Sequence, residues 1–165
     1  DAVSYQGRFG PLTVWALTQL DNGGPSADDG AAGTAFAVKY NQGNIEAFVK
    51  RVADGRDAGA GEYSSTGYGA KLKMGSMDIA LQMEASDADG TETDYMFVAF
   101  NMKMGKNLLT VNTGTGDTDT ADYSQTTVAI KHSFSKKTKA WVGYTMEDDD
   151  GVANNVTSLG LRVDI

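Results

Sequence analysis

The chain alternates along nearly its whole length. Across 77–85, Met77, Ile79, Leu81 and Met83 share one parity, and Asp78, Gln82 and Glu84 share the other. A two-residue period marks a half-buried strand, and the 3.6-residue recurrence of an amphipathic helix is essentially missing. Alternation predicts eleven strands, over residues 3–10, 12–20, 34–41, 44–52, 66–74, 77–85, 94–104, 106–114, 126–134, 138–146 and 156–165. Most are about 8–11 residues long, the length a tilted strand needs to cross a hydrocarbon layer. The eighth, 106–114, has no clear phase. The last alternates through to Ile165.

Two kinds of connection join these segments in strict succession. The tight ones are "FGPL", "NQGN", "MGSM", "MGKN" and "SFSKK", centred near residues 10, 43, 75, 105 and 135 and so spaced 33, 32, 30 and 30 apart. Between them lie longer stretches rich in Gly, Asp, Ser and Thr, which predict acidic loops. A hairpin period with every short turn on one side is the layout of up-and-down outer-membrane barrels. The predicted fold is therefore all-β: a transmembrane up-and-down antiparallel β-barrel with about eleven strands visible.

The two parities differ in kind. One carries Val3, Tyr5, Phe9, Phe36, Val38, Tyr40, Tyr68, Leu72, Met96, Val98, Phe100, Val128, Ile130, Val142, Tyr144 and the closing aliphatics. The other carries the bases Arg8, Lys39, Lys50, Lys71, Lys73, Lys103, Lys131, Lys139 and Arg162, and the acids Glu46, Asp78, Glu84 and Asp164. In a soluble barrel this second face would point outward to water; in a membrane barrel it points into a wet lumen. A charge on the lipid face costs about 2–4 kcal/mol at mid-bilayer, so the bases are expected to line water. They would either set a field that filters solutes or simply keep the wall wet while paired with the acids. Trp15, Leu17, Phe48 and Phe97 break the pattern by falling on the polar parity. Phe9, Tyr40 and Phe134 near the short turns, and Tyr68 and Tyr144 at the other strand ends, would form aromatic girdles.

Charge sharpens this picture. The net charge is -8, which argues against nucleic acid as a partner. Of the 22 acids, 17 lie in the five long connections, and of the 14 Lys and Arg only Arg56 lies clearly inside one of them. Surface charges of soluble proteins are normally interspersed. With no Cys and a lone histidine, His132, neither a thiolate metal site nor a supported catalytic triad is available, so no enzyme activity, cofactor or metal is expected. "DADGTETD" (87–94) and "MEDDDG" (146–151) look like Ca²⁺ loops but miss the EF-hand spacing, which favours solvated acidic loops. No run is apolar enough for a transmembrane helix, a test that strands do not register on.

"DAVSYQGRFGPLTVWAL", "SFSKKTKAWVGYTMEDDD" and "SLGLRVDI" resemble, respectively, a mid-barrel hairpin, the penultimate hairpin and the closing strand of Gram-negative general diffusion porins. The closing strand also resembles the assembly signal of outer-membrane proteins, carried here by Ser158, Gly160, Val163 and Ile165. It departs from the family at Ile165, where Phe is usual. The resemblance implies a sixteen-strand barrel, a homotrimer in the Gram-negative outer membrane, contact with outer-membrane lipid and lipopolysaccharide, and passage of small hydrophilic solutes. Eleven strands would then be numbers 6 to 16 of one β-barrel domain. An odd count puts the two ends on opposite sides, whereas complete barrels have an even count. About five N-terminal strands are therefore expected to lie outside 1–165.

Three functional readings follow. The first is a passive diffusion porin. The second is a non-conducting outer-membrane barrel serving as structure or receptor. The third is a soluble all-β module with acidic Ca²⁺-binding loops.

Overall fold

A computed structural model describes residues 2–19, 32–55, 63–118 and 121–164. Eleven strands make up one antiparallel sheet: β1 (Ala2–Phe9), β2 (Leu12–Gln19), β3 (Ala32–Gln42), β4 (Ile45–Gly55), β5 (Tyr63–Met74), β6 (Met77–Ala88), β7 (Thr91–Met104), β8 (Asn107–Thr118), β9 (Asp122–Ser133), β10 (Thr138–Asp149) and β11 (Val152–Val163). Their order in the sheet is their order in sequence, so every strand pairs with its chain neighbours. The contacts group into two compact units, Asp1–Ala70 with Gln82–Asp94, and Lys71–Leu81 with Tyr95–Ile165.

The turns at the two strand ends are chemically different. Four short connections are two residues long and begin with Gly10, Gly43, Gly75 or Gly105, at φ between +59° and +61°. Positive φ at the first central residue alone is the type II′ pattern, which demands glycine there. In the fifth, Ser135 Oγ accepts from the Lys137 and Thr138 amides at 3.1 and 3.0 Å, a side-chain substitute for a backbone turn.

At the opposite end the expected acidic loops give way, in part, to longer strands. β6 and β7 continue to Asp89-Gly90, and β10 and β11 to Asp150-Gly151. Each Asp-Gly pair has positive φ at both residues: 58° and 79° in one, 50° and 80° in the other. That is a type I′ hairpin, whose twist matches the flanking strands and whose preferred sequence is Asp-Gly. The acid three residues upstream locks the corner: Asp87 Oδ1 accepts from the Gly90 amide at 2.9 Å, and Asp148 Oδ1 from the Gly151 amide at 3.0 Å. "DADG" and "DDDG" are hairpin corners. The segments 20–31 and 56–62, where two other acidic loops are expected, lie outside the described residues.

Pairing also gives β8 the phase its sequence withholds. Leu109 and Val111 stand opposite Ile130 and Val128, while Thr110 and Asn112 stand opposite Ala129 and Thr127. Among the described residues no apolar side chain is buried, and large ones lie open on the apolar face, such as Phe9 at 59% and Leu159 at 80% exposure. A soluble domain would pack at least one sheet face into a core. Here neither face does, which counts against a soluble module.

Candidate functional site

Within each unit, cross-strand register and alternation put the charges predicted for the polar parity on one face. In the first unit the rows run Arg8–Thr13–Lys39–Phe48 and Gln6–Trp15–Ala37–Lys50, with Asn41 opposite Glu46. Trp15, Leu17 and Phe48 belong to this face, as their parity requires. Gln6, Arg8, Thr13, Trp15, Lys39 and Asn41 border an open recess of about 540 Å³ beside the first short turn.

Deeper along the strands, β4, β5 and β6 converge on one carboxylate. Lys50 Nζ lies 2.8 Å from Glu84 Oε2, and Ser65 donates to Glu84 Oε1 at 2.6 Å. To reach across β5, the lysine stem lies over Gly67, where a Cβ would sit 2.5 Å from Lys50 Cε. A glycine is therefore what permits the contact. Ser65 is the most buried polar side chain described, at 3% exposure. Nearer the turn, Lys39 pairs with Glu46 at 3.5 Å.

In the second unit a chain of contacts crosses four strands. Asp78 Oδ1 meets Lys71 Nζ at 3.4 Å and accepts from Asn101 Nδ2 at 2.9 Å; Asn101 Oδ1 accepts from Thr110 at 2.8 Å. Lys73 and Lys103 share this face by alternation with Lys71 and Asn101. Beyond lies a basic cluster. Lys139 stands directly opposite Arg162, Trp141 stands between Lys131 and Gly160, and Arg162 Nε holds Asp164 at 2.7 Å along its own strand. Like charges directly opposite each other destabilise a sheet. Arg8, Lys103, Lys131 and Lys139 have no ion-pair partner among the described residues.

The charge runs along the strands as well as across them. Lys131, Lys139 and Arg162 sit toward the short turns of β9, β10 and β11, while Asp122, Glu147, Asp148 and Asp149 sit at the other end of β9 and β10, with Asp117 of β8 opposite Asp122 and Asp150 in the corner. Glu147 is tied into the wall there, accepting from Gln125 Nε2 at 2.8 Å.

The residues matching the assembly signal divide between the faces. Ser158 and Gly160 lie on the polar face opposite Gly143 and Trp141, and Val163 lies on the apolar face opposite Thr138; Ile165 falls outside the described residues. A Cβ on Gly160 would fall within the Trp141 indole ring. His132 lies on the apolar face, with Nδ1 2.7 Å from Asn107 Oδ1 and its ring edge-on to Phe134. No three described His, Asp or Glu residues come together as a metal site.

One residue escapes the sequence reading. Register pairs Arg51 with Phe36, on the apolar face. The signal was visible in "VKRV": two adjacent charges in an alternating strand must point to opposite sides.

A family model described as Gram-negative porin matches residues 1–152. None of the curated protein sequences matches the chain significantly. Similar solved structures include an anion-selective porin from Comamonas acidovorans (TM-score 0.82, 14% identity, 99% of this chain and 59% of that one). A porin refined at 1.8 Å is similar over 98% of this chain and 60% of its own (TM-score 0.76, 16% identity). A loop-L8 deletion mutant of OmpT, an outer membrane protein of Vibrio cholerae, is similar over 98% and 62% (TM-score 0.72, 14% identity). The chain thus spans about three-fifths of the length of the solved porins it matches. At these identities the structural likeness speaks for the fold, and the family match speaks for kinship. The protein, an outer-membrane strand sheet with one charged and one apolar face, belongs to the Gram-negative porin family.

Proposed function

We propose that the charged face lines a water-filled channel through which small hydrophilic solutes and ions diffuse passively across the outer membrane. The observation that carries this reading is the division of charge between faces. Of the ten Lys and Arg residues that lie in described strands, nine share the polar face, with Glu46, Asp78, Glu84 and Asp164 among them, and only Arg51 lies on the apolar one. A wall facing lipid excludes charge, and one facing water holds it without penalty. The protein acts as a channel, and its family and fold support that role over an enzymatic one.

The uncompensated bases favour anions near the short turns, and the carboxylates at the far strand ends concentrate cations at the entrance. A solute therefore meets fields of opposite sign in sequence. The apolar face contacts lipid and neighbouring subunits. The working assembly is a homotrimer, a form in which the Vibrio cholerae OmpT relative has been described. In planar bilayers the native protein is expected to give stepwise, ohmic conductance; insertion without current would refute the channel.

A further inference from the structure

Thirteen of the 14 Lys and Arg residues are described. Nine lie on the polar face, and Lys106, Lys136 and Lys137 lie in short turns. Arg51 alone stands on the apolar face, opposite Phe36, exposed, with Nη1 donating to Thr66 Oγ1 at 3.1 Å. It has no acidic partner among the described residues.

Its depth is informative. Toward the short turns from Arg51 the same face reads Val49, Val38, Tyr40, Ala47 and Ile45. Away from them the next row of the same face reads Val3, Thr18, Thr34 and Ala53, with Val3 its one large apolar side chain. Arg51 therefore marks the upper border of the apolar band, on the side of the acidic connections, which in outer-membrane barrels is extracellular. At such a border an arginine keeps its stem in the apolar layer and extends its guanidinium to headgroup level. One N–H is used by Thr66, and the remaining donors form a fork suited to two phosphate oxygens.

We infer that Arg51, oriented by Thr66, is a binding point for the phosphate of an outer-leaflet lipid, lipopolysaccharide. The inference rests on the reading that the apolar face meets the membrane, and it concerns the outer surface of the protein. Thr66 holds the guanidinium at Nη1, and the Nε and Nη2 donors have no partner among the described residues. Phe36 beside it supplies an apolar surface for the first acyl carbons.

The test uses the native outer-membrane protein in detergent, titrated with bisphosphorylated lipid A and with its dephosphorylated form. The wild type is expected to prefer the phosphorylated lipid, Arg51→Gln to bind it about tenfold more weakly, as loss of one charge-assisted contact implies, and Arg51→Lys to fall between. Equal binding of both lipids by the wild type would overturn the proposal, as would full affinity in Arg51→Gln. So would an Arg51→Gln protein whose subunits separate while its lipid affinity stays unchanged, because the arginine would then serve a protein contact. Should Arg51→Gln fail to fold, the wild-type preference and the Arg51→Lys affinity decide the matter. Conductance of the wild type, recorded separately, tests the channel: its absence would refute that reading without touching the lipid result.

Discussion

Around Glu84, a lysine, a serine and a carboxylate from three strands close on one another; around Trp141 stand three bases on three strands, of which only Arg162 holds a carboxylate. Both regions belong to the polar face, and they handle charge in opposite ways. In the first, Lys50 crosses Gly67 to reach Glu84, and Ser65 takes the second oxygen. Nothing is left over. In the second, Lys139 is held opposite Arg162, and neither Lys131 nor Lys139 has an acidic partner among the described residues. A sheet selected for stability alone would not place two bases across from each other. The difference separates a region that holds strands together from one that leaves positive charge without an acidic partner.

Breaking the closed region should have the largest effect. Glu84→Ala removes the acceptor of a buried hydroxyl and the partner of Lys50, and is expected to destabilise the protein by about 2 kcal/mol. Most of that belongs to Ser65, because the ion pair is partly exposed and screened. Glu84→Gln, which can still accept from Ser65, should lose well under half as much. Urea midpoints of the refolded protein measure both, and equal losses in the two variants would show that charge rather than the serine bond dominates.

Gly160→Ala probes the open region through packing. The new Cβ displaces the Trp141 indole, at about 1–2 kcal/mol if the ring finds another rotamer. Adding Trp141→Ala should make the combined loss smaller than the sum of the two single losses, since the clash vanishes with the ring. Strict additivity in that cycle would mean the indole does not lie over the glycine.

The smallest stability effect is expected where the charge is unpaired. Lys139→Gln relieves a like-charge pair and should leave stability unchanged or raise it by about 0.2–1 kcal/mol. The same variant should shift the reversal potential in a salt gradient toward cation preference. A destabilised Lys139→Gln with unaltered selectivity would erase the distinction between the two regions.

Much of this was readable from the chain alone, and what was missed has identifiable causes. Alternation located all eleven strands because one face is apolar and the other is not. It failed in β8, where Leu108 and Leu109 are adjacent and Thr and Asn suit either face; pairing of Leu109 with Ile130 resolved the phase. The arms of β6–β7 and β10–β11 looked like loops because Asp, Gly and Thr serve turns and strand ends alike. Only the paired positive φ angles of Asp-Gly reveal a tight corner. The polar parity collected Lys50 and Glu84 correctly, but that they touch depends on registers 34 residues apart and on a glycine between them. Arg51 is not legible from alternation because its parity predicts an apolar side chain at that position.

The glycines beneath the large side chains of the polar face have a wider consequence. Lys50 lies along the hollow at Gly67, Trp141 over Gly160, and Tyr95 against Gly116, each reclining on the backbone where another residue would have pushed it upright. In a channel lined this way, these three large side chains lie close to the main chain and are less free to swing into the bore. A passing solute meets a wall of fixed relief with the charge spread close to its surface. Such a conduit should carry a quiet, steady current.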